Sequence, residues 1–237
     1  MAIDLLETAD EIVDSLRRGA RVEDRAFDRF LPSPLRKASY QYWTSIKVAT
    51  RACEWLADAG ARRVLDVGSG PGKLCVIGAI TAQLQFIGLE HRPHLVEAAR
   101  QLAITFGVQH RVRFIRGDLD AFPDLDAFDA LYLYNPFGEN LFLPKDHLDD
   151  TVEVSQARFQ REIRRIEAIL AELPSGAHVV THNGFGGRVP SSYTLERTER
   201  AGVNQLRLWR QTEDGVEGQS WDETEEELRA EELTEPG

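Results

Sequence analysis

The hydrophobic rhythm of the chain changes at Gly60, and that change restricts its fold more than any other feature. Before Gly60 the apolar residues recur at helical spacing. After it, short apolar runs of strand type at 62–67, 84–90, 112–116, 130–134 and 177–181 alternate with amphipathic stretches at 72–83, from Pro93 to Phe106 and at 148–173. Strands separated by helices pair in parallel, because the chain must cross over the sheet between them, and this predicts helices on both faces. Residues 193–200 and 204–211 alternate about Gly202, which predicts a closing hairpin with an antiparallel strand. The expected fold is therefore α/β, a doubly wound and mostly parallel seven-stranded sheet.

Ahead of the sheet, Asp4 and Glu7 have the spacing of a capping box, followed by Leu5, Leu6, Ala9, Ile12, Val13 and Leu16 on one face, with Gly19 as a stop. A short helix is expected over 22–30. Ser33 as N-cap and Pro34 at the first helical position then predict one long helix to Ala59. These boundaries divide the chain into a helical extension or lid (1–59), a sheet domain (60–212) and a tail (213–237).

The formal charge of −11 is concentrated in that tail, which carries eleven acidic residues against Arg229 alone. A segment this acidic and this poor in apolar residues is expected to stay disordered, or to form a short helix around 225–233. Residues 1–212 are then close to neutral, which argues against nucleic acid as a partner, since such binders carry a basic face. Arg161, Arg164 and Arg165 form a small basic cluster that Glu162 and Glu167 offset. Cys53 and Cys75 have no metal-ligand spacing, so no metal is expected, and both fit packed thiols of a reducing compartment. The N-terminus lacks the basic start of a secretory signal, and no apolar run approaches the roughly 18 residues of a membrane span. Cytoplasmic placement is expected.

Gly68-Ser69-Gly70-Pro71-Gly72 lies between the first strand and a helix, where doubly wound folds bind ligands. Its spacing is G-x-G-x-G, whereas the dinucleotide fingerprint is G-x-G-x-x-G. Glu90 closes the second strand, 18 residues past Gly72, where a carboxylate can take two hydrogen bonds from vicinal ribose hydroxyls. Asp118 and Leu119 follow the third strand. Tyr134-Asn135-Pro136-Phe137 ends the fourth, and His182 lies just past the fifth run, before a glycine-rich stretch at 184–187.

Taken in order, Val64-Leu65-Asp66-Val67-Gly68-Ser69-Gly70-Pro71-Gly72, Glu90 and Asp118 resemble the motifs of class I, Rossmann-like methyltransferases that use S-adenosyl-L-methionine (SAM), over roughly 40–182. The resemblance implies that Asp66, Gly68, Ser69, Gly70, Gly72, Glu90, Asp118, Leu119 and Asn135 bind SAM. By the same resemblance Asp66 and Gly68 hold the methionine ammonium, and Asp118 with the Leu119 backbone holds adenine. Tyr134-Asn135-Pro136-Phe137 resembles the Asn-Pro-Pro-Tyr/Phe motif of amino-methylating enzymes, with one proline fewer. It is similar to a segment of bacterial methyltransferase-like proteins and, more distantly, to seven-strand histone lysine methyltransferases. Asn135, Tyr134 and Phe137 are the implied substrate-aligning residues, and His182 is a candidate general base by its ordinary pKa.

The expected activity is methyl transfer to a nitrogen or oxygen of a small molecule or protein side chain. Two alternatives stay open: a SAM-binding protein without catalysis, and an NAD-dependent oxidoreductase, which the glycine spacing and the missing Tyr-x-x-x-Lys pair disfavour. Tyr40, Tyr42 and Trp43 are expected either in the core or in a lid over the site.

Overall fold

Four helices, α1 (Ala9–Arg17), α2 (Asp24–Asp28), α3 (Ser33–Tyr42) and α4 (Ile46–Asp58), lead into the first strand of a computed structural model that describes residues 8–122, 124 and 127–212. There follow β1 (Arg63–Val67), α5 (Lys73–Thr81), β2 (Gln85–Glu90), α6 (Pro93–Thr105), β3 (Val112–Arg116), β4 (Ala130–Tyr134), α7 (Gln156–Glu172), β5 (His178–His182), β6 (Tyr193–Ala201) and β7 (Asn204–Gln211). The seven strands form one sheet in the order β3-β2-β1-β4-β5-β7-β6. Strands β1 to β5 pair in parallel, and β7 runs antiparallel between β5 and β6. The reversed strand thus lies one place in from the edge. Burial explains the order: β7 buries Leu206, Leu208 and Trp209, whereas β6 alternates half-buried and exposed residues as an edge can.

Alternation along the strands divides the core between the two faces. Val64, Tyr132, Val180 and Leu208 face α4, α5 and α6, while Leu65, Leu131, Val179 and Trp209 face α7. Helix α5 is buried all round from Leu74 to Ile80 and packs closely on α4. Gly78 permits that approach, since a Cβ there would lie 2.5 Å from both Cys53 Sγ and the Phe86 ring. Strand order reverses between β1 and β4, which opens a crevice at the carboxyl ends of these strands. Among the described residues no helix is long and apolar enough to cross a membrane.

Helix boundaries differ from expectation where side chains compete for the backbone. Asp4, Glu7 and the acidic tail lie outside the described residues. The described first helix begins at Ala9, capped by Thr8 and Glu11, each of which binds the other's backbone amide. Ser33 is the first residue of α3, and Pro32 rather than Ser33 holds the cap position. The single helix expected up to Ala59 is two, broken at Trp43, Thr44 and Ser45. Trp43 is extended and donates its indole N–H to the Leu35 carbonyl at 3.1 Å, Thr44 pairs with the Tyr132 hydroxyl, and Ser45 caps α4 through the Val48 amide. The helix expected from 148 starts at Gln156, because Ser155 caps it and Asp149 instead binds the Thr151 amide.

Replacing Gly78 with alanine should lower unfolding free energy by about 1–3 kcal/mol in urea denaturation, the usual cost of overfilling a packed core. A neutral result would mean that α4 and α5 can separate freely.

Candidate active site

The crevice is a cleft of about 290 Å³, near the lower end of the roughly 300–1,000 Å³ range of small-molecule sites. Its floor is the loop after β1. Gly68, Gly70 and Gly72 all have positive φ, 73°, 54° and 77°, a region open to glycine at no steric cost. The Gly68 and Ser69 amides both donate to the Leu89 carbonyl, which ties the loop to the end of β2. A Cβ on Gly70 would lie 2.8 Å from the Trp43 ring, and one on Gly72 2.6 Å from Phe114. The glycines therefore admit an aromatic wall above the loop and a tight turn into α5.

Glu90 is buried on the cleft wall, held by two backbone donors: the Gly70 amide at 3.0 Å on Oε2 and the Arg92 amide at 2.8 Å on Oε1. Each carboxylate oxygen keeps lone pairs for a diol. Burial raises its pKa, opposed by those amides and by the Arg92 charge. Asp118 and Leu119, after β3, line the same cleft, as do Gly68, Tyr134, Asn135 and Phe137. Three expected residues sit beneath the surface. Asp66 is buried under the loop and accepts the Cys75 thiol at 3.3 Å; the Ser69 hydroxyl is turned toward Gly88; and Gly72 caps α5. Gly70 contributes through its amide on Glu90 rather than as cleft lining.

Asn135 turns the chain at the end of β4 with φ of 37°, a conformation in which asparagine is enriched among non-glycine residues. Its amide donates to the Gly184 carbonyl at 2.8 Å, so the turns after β4 and β5 are strapped together. Asn183 makes the matching turn after β5, with φ of 53°. The Asn135 side chain lies over Gly138, where a Cβ would come within 2.2 Å of Nδ2. Pro136 covers Gly68, with Cβ 3.1 Å from the place a side chain there would take. One proline suffices to close the turn onto the glycine loop.

A charged roof was missed by sequence reasoning. Buried Arg92 pairs with Glu139 at 2.9 Å and Asp149 at 3.0 Å, and Glu139 also accepts the Leu148 amide. This draws the 138–149 segment over the cleft, where Phe142 meets Tyr42 and the Tyr42 hydroxyl donates to the Asp146 carbonyl. Arg158 and Glu162, paired on α7, line the far wall, and Arg158 reaches His91 Nδ1 at 2.8 Å. Burial, then the Arg158 and Arg92 charges, lowers His91 to about 4. The signal was present in the helix: positions 158, 162, 166 and 170 share one stripe, and a charged pair in an apolar stripe marks a lined cavity.

Lys73 is the first residue of α5 and only 2% exposed. A cation at a helix N-terminus is disfavoured by the aligned peptide dipoles. Asp24 and Asp28 from α2 offset this at 2.6 and 2.8 Å, and Asp28 also accepts the Ser39 hydroxyl. His182 does not line the cleft with Asn135. It lies behind Tyr134, ring centroids 4.4 Å apart, on the wall of a second cavity. Burial lowers its pKa to about 4, so at neutral pH it is uncharged and a weaker base than an ordinary histidine.

Residues 59–182 match the family described as "Methyltransferase domain", and the chain belongs to this family. It is a Rossmann-like, SAM-dependent methyltransferase. Among solved structures it is similar to an RNA methyltransferase from Salinibacter ruber in complex with S-adenosyl-L-homocysteine, at 27% identity over 70% of this chain and 92% of that one, with a TM-score of 0.50. It shares its fold with TrmN from Thermus thermophilus, at 23% identity over 78% of this chain and 53% of that one, with a TM-score of 0.51.

Lys73→Met should cost about 3 kcal/mol or more in urea denaturation, because it leaves the Asp28 carboxylate buried and unpaired. Asp24→Asn, at a half-exposed partner, should cost clearly less; equal losses would show that burial does not govern the pair. Asp66 sets a pH dependence, since burial lifts its pKa to about 7. A carboxyl raised in the folded state holds a proton that the unfolded chain has released. Its contribution is therefore complete below the unfolded value of about 4 and declines as pH rises toward 7. Asp66→Asn should flatten the fall in unliganded stability between these values by up to about 1.4 kcal/mol per pH unit, and an unchanged slope would show that Asp66 does not titrate there.

Proposed function

We propose that the cleft binds SAM and that the chain transfers its methyl group to a nitrogen or oxygen acceptor. The observation that carries this is the convergence of Gly68, Glu90, Asp118, Leu119 and Asn135, from the ends of four successive sheet strands, on one cleft. SAM supplies a methyl on a sulfonium centre, which needs little acid–base help to react. The work left to the protein is position and desolvation.

In this reading Glu90, fixed by the Gly70 and Arg92 amides, accepts from the ribose hydroxyls. Asp118 and the Leu119 backbone hold the adenine. Gly68 lets the backbone approach the methionine portion and Gly70 leaves room for the adenosyl part, with Ser69 and Gly72 shaping the loop. Asp66, beneath the loop, acts on the methionine ammonium from below. Asn135, held in its turn by the Gly184 carbonyl, and Tyr134 and Phe137 beside it align the acceptor. Residues 1–59 then serve as a lid over the sheet domain, with Trp43 reaching the glycine loop. The near-neutral described surface supports a small-molecule or protein acceptor, while the Salinibacter relative adds RNA to the acceptors worth testing.

Isothermal titration calorimetry should find SAM binding and no comparable binding of NAD. Glu90→Gln should weaken SAM about tenfold or more, the loss of a charge-assisted hydrogen bond. Preference for NAD would overturn the reading, and an effect of Glu90→Gln below about threefold would remove the ribose contact.

A further inference from the structure

A second cavity of about 510 Å³ adjoins the cofactor cleft, and Trp43 and Tyr134 line both. Its inner wall holds His182, only 5% exposed, whose Nδ1 and Nε2 both lack a hydrogen-bond partner among the described residues. An imidazole buried with no protein partner on either nitrogen leaves both polar positions to whatever occupies the cavity. Being neutral, the ring offers one donor and one acceptor that point in divergent directions, so one of them can meet a single polar group of a nucleobase while the other faces elsewhere. Flat faces surround it: the Tyr134 ring is stacked on His182, Trp43 stands beside them, and Tyr40 at the mouth is fully exposed.

The mouth is basic. Arg25 and Arg36 line it, are exposed, and have no ion-pair partner among the described residues. Lys37 follows Arg36 on α3 and is exposed beside it, and residues 29–53 contain no acidic residue. Inside, Lys73 is held by both Asp24 and Asp28, which leaves the interior with one net negative charge and confines the positive charge to the rim.

We propose that this cavity extends the acceptor site past Tyr134, beyond the Asn135 and Phe137 end of the cleft, and that it takes a nucleotide, free or within a single RNA strand, with the base against Trp43, Tyr134 and His182 and the phosphate on Arg25 and Arg36. Stacking on aromatic faces and backbone neutralisation by arginine are the two means by which unpaired nucleotides are held. The inference rests on the methyltransferase reading of the neighbouring cleft. In the transfer, a lone pair of the base or sugar forms the bond to the methyl carbon. The carbon–sulfur bond breaks with its pair remaining on sulfur, and the proton released by the acceptor leaves to solvent through the mouth of the cavity.

The test uses the full chain without SAM: fluorescence anisotropy of a fluorescein-labelled, mixed-sequence single-stranded RNA oligomer, with the four nucleoside 5′-monophosphates as competitors. Arg25→Glu with Arg36→Glu should weaken RNA binding about tenfold or more and reduce its salt dependence. His182→Phe, which keeps the stack and removes both nitrogens, should weaken it about tenfold while leaving SAM affinity by calorimetry within about twofold. Arg164→Glu with Arg165→Glu, on the face of α7 away from the mouth, should change nothing. Binding of RNA and monophosphates together would assign the site to nucleotides in general, and binding of RNA alone to a strand. No binding of either, with SAM still bound, would overturn this proposal and leave the methyltransferase reading intact. So would equal losses from the α7 pair, which would mark diffuse attraction. Nucleotide binding without SAM binding would overturn the cofactor reading alone.

Discussion

The architecture around the site depends on one buried cation. Lys73 stands where the glycine loop becomes α5, against the field of its own helix, and is tolerated there because Asp24 and Asp28 come down from α2. That ion pair holds the N-terminal helices to the sheet at the cofactor loop. It fixes the height at which α3 ends and the place where Trp43 meets Gly70. Both cavities take part of their wall from this region, so the clamp that seats the extension also shapes the two places where ligands fit. The glycine loop is therefore more than a hinge beneath a cofactor: it is the surface on which the extension rests.

Much of this was legible in the sequence, because period and turn chemistry are local. The strand runs, the G-x-G-x-G loop and the acid closing β2 could be read from neighbours a few residues apart. The break at 43–45 could not, since it depends on the Trp43 indole finding the Leu35 carbonyl and on Thr44 finding Tyr132, 88 residues away. The roof was hidden for the same reason: Arg92 meets Glu139 and Asp149 across 47 and 57 residues, and Asp149 falls where the sequence reads as the start of a helix. Nothing in the residues around Lys73 marks it as buried, and its two partners lie 45 and 49 residues upstream. His182 was legible as a candidate, but its ordinary pKa was assumed, and burial changed what its ring offers.

Charge gives a related lesson. A net value near zero for residues 1–212 suggested a surface indifferent to polyanions, yet an average over a chain says nothing of where charges lie. The cations of 29–53 gather on α3, α4 and the turns beside them, while acids are spread over the rest. Electrostatic attraction responds to the local field within about a Debye length, roughly 8–10 Å, and not to the total.

Trp43 and Tyr134 are common to both cavities, and this makes the two volumes dependent on each other. The Leu35 carbonyl fixes the Trp43 ring and the stack on His182 the Tyr134 ring, so the division between the two volumes is set by these two contacts. A substitution at either ring therefore changes the walls of both cavities at once.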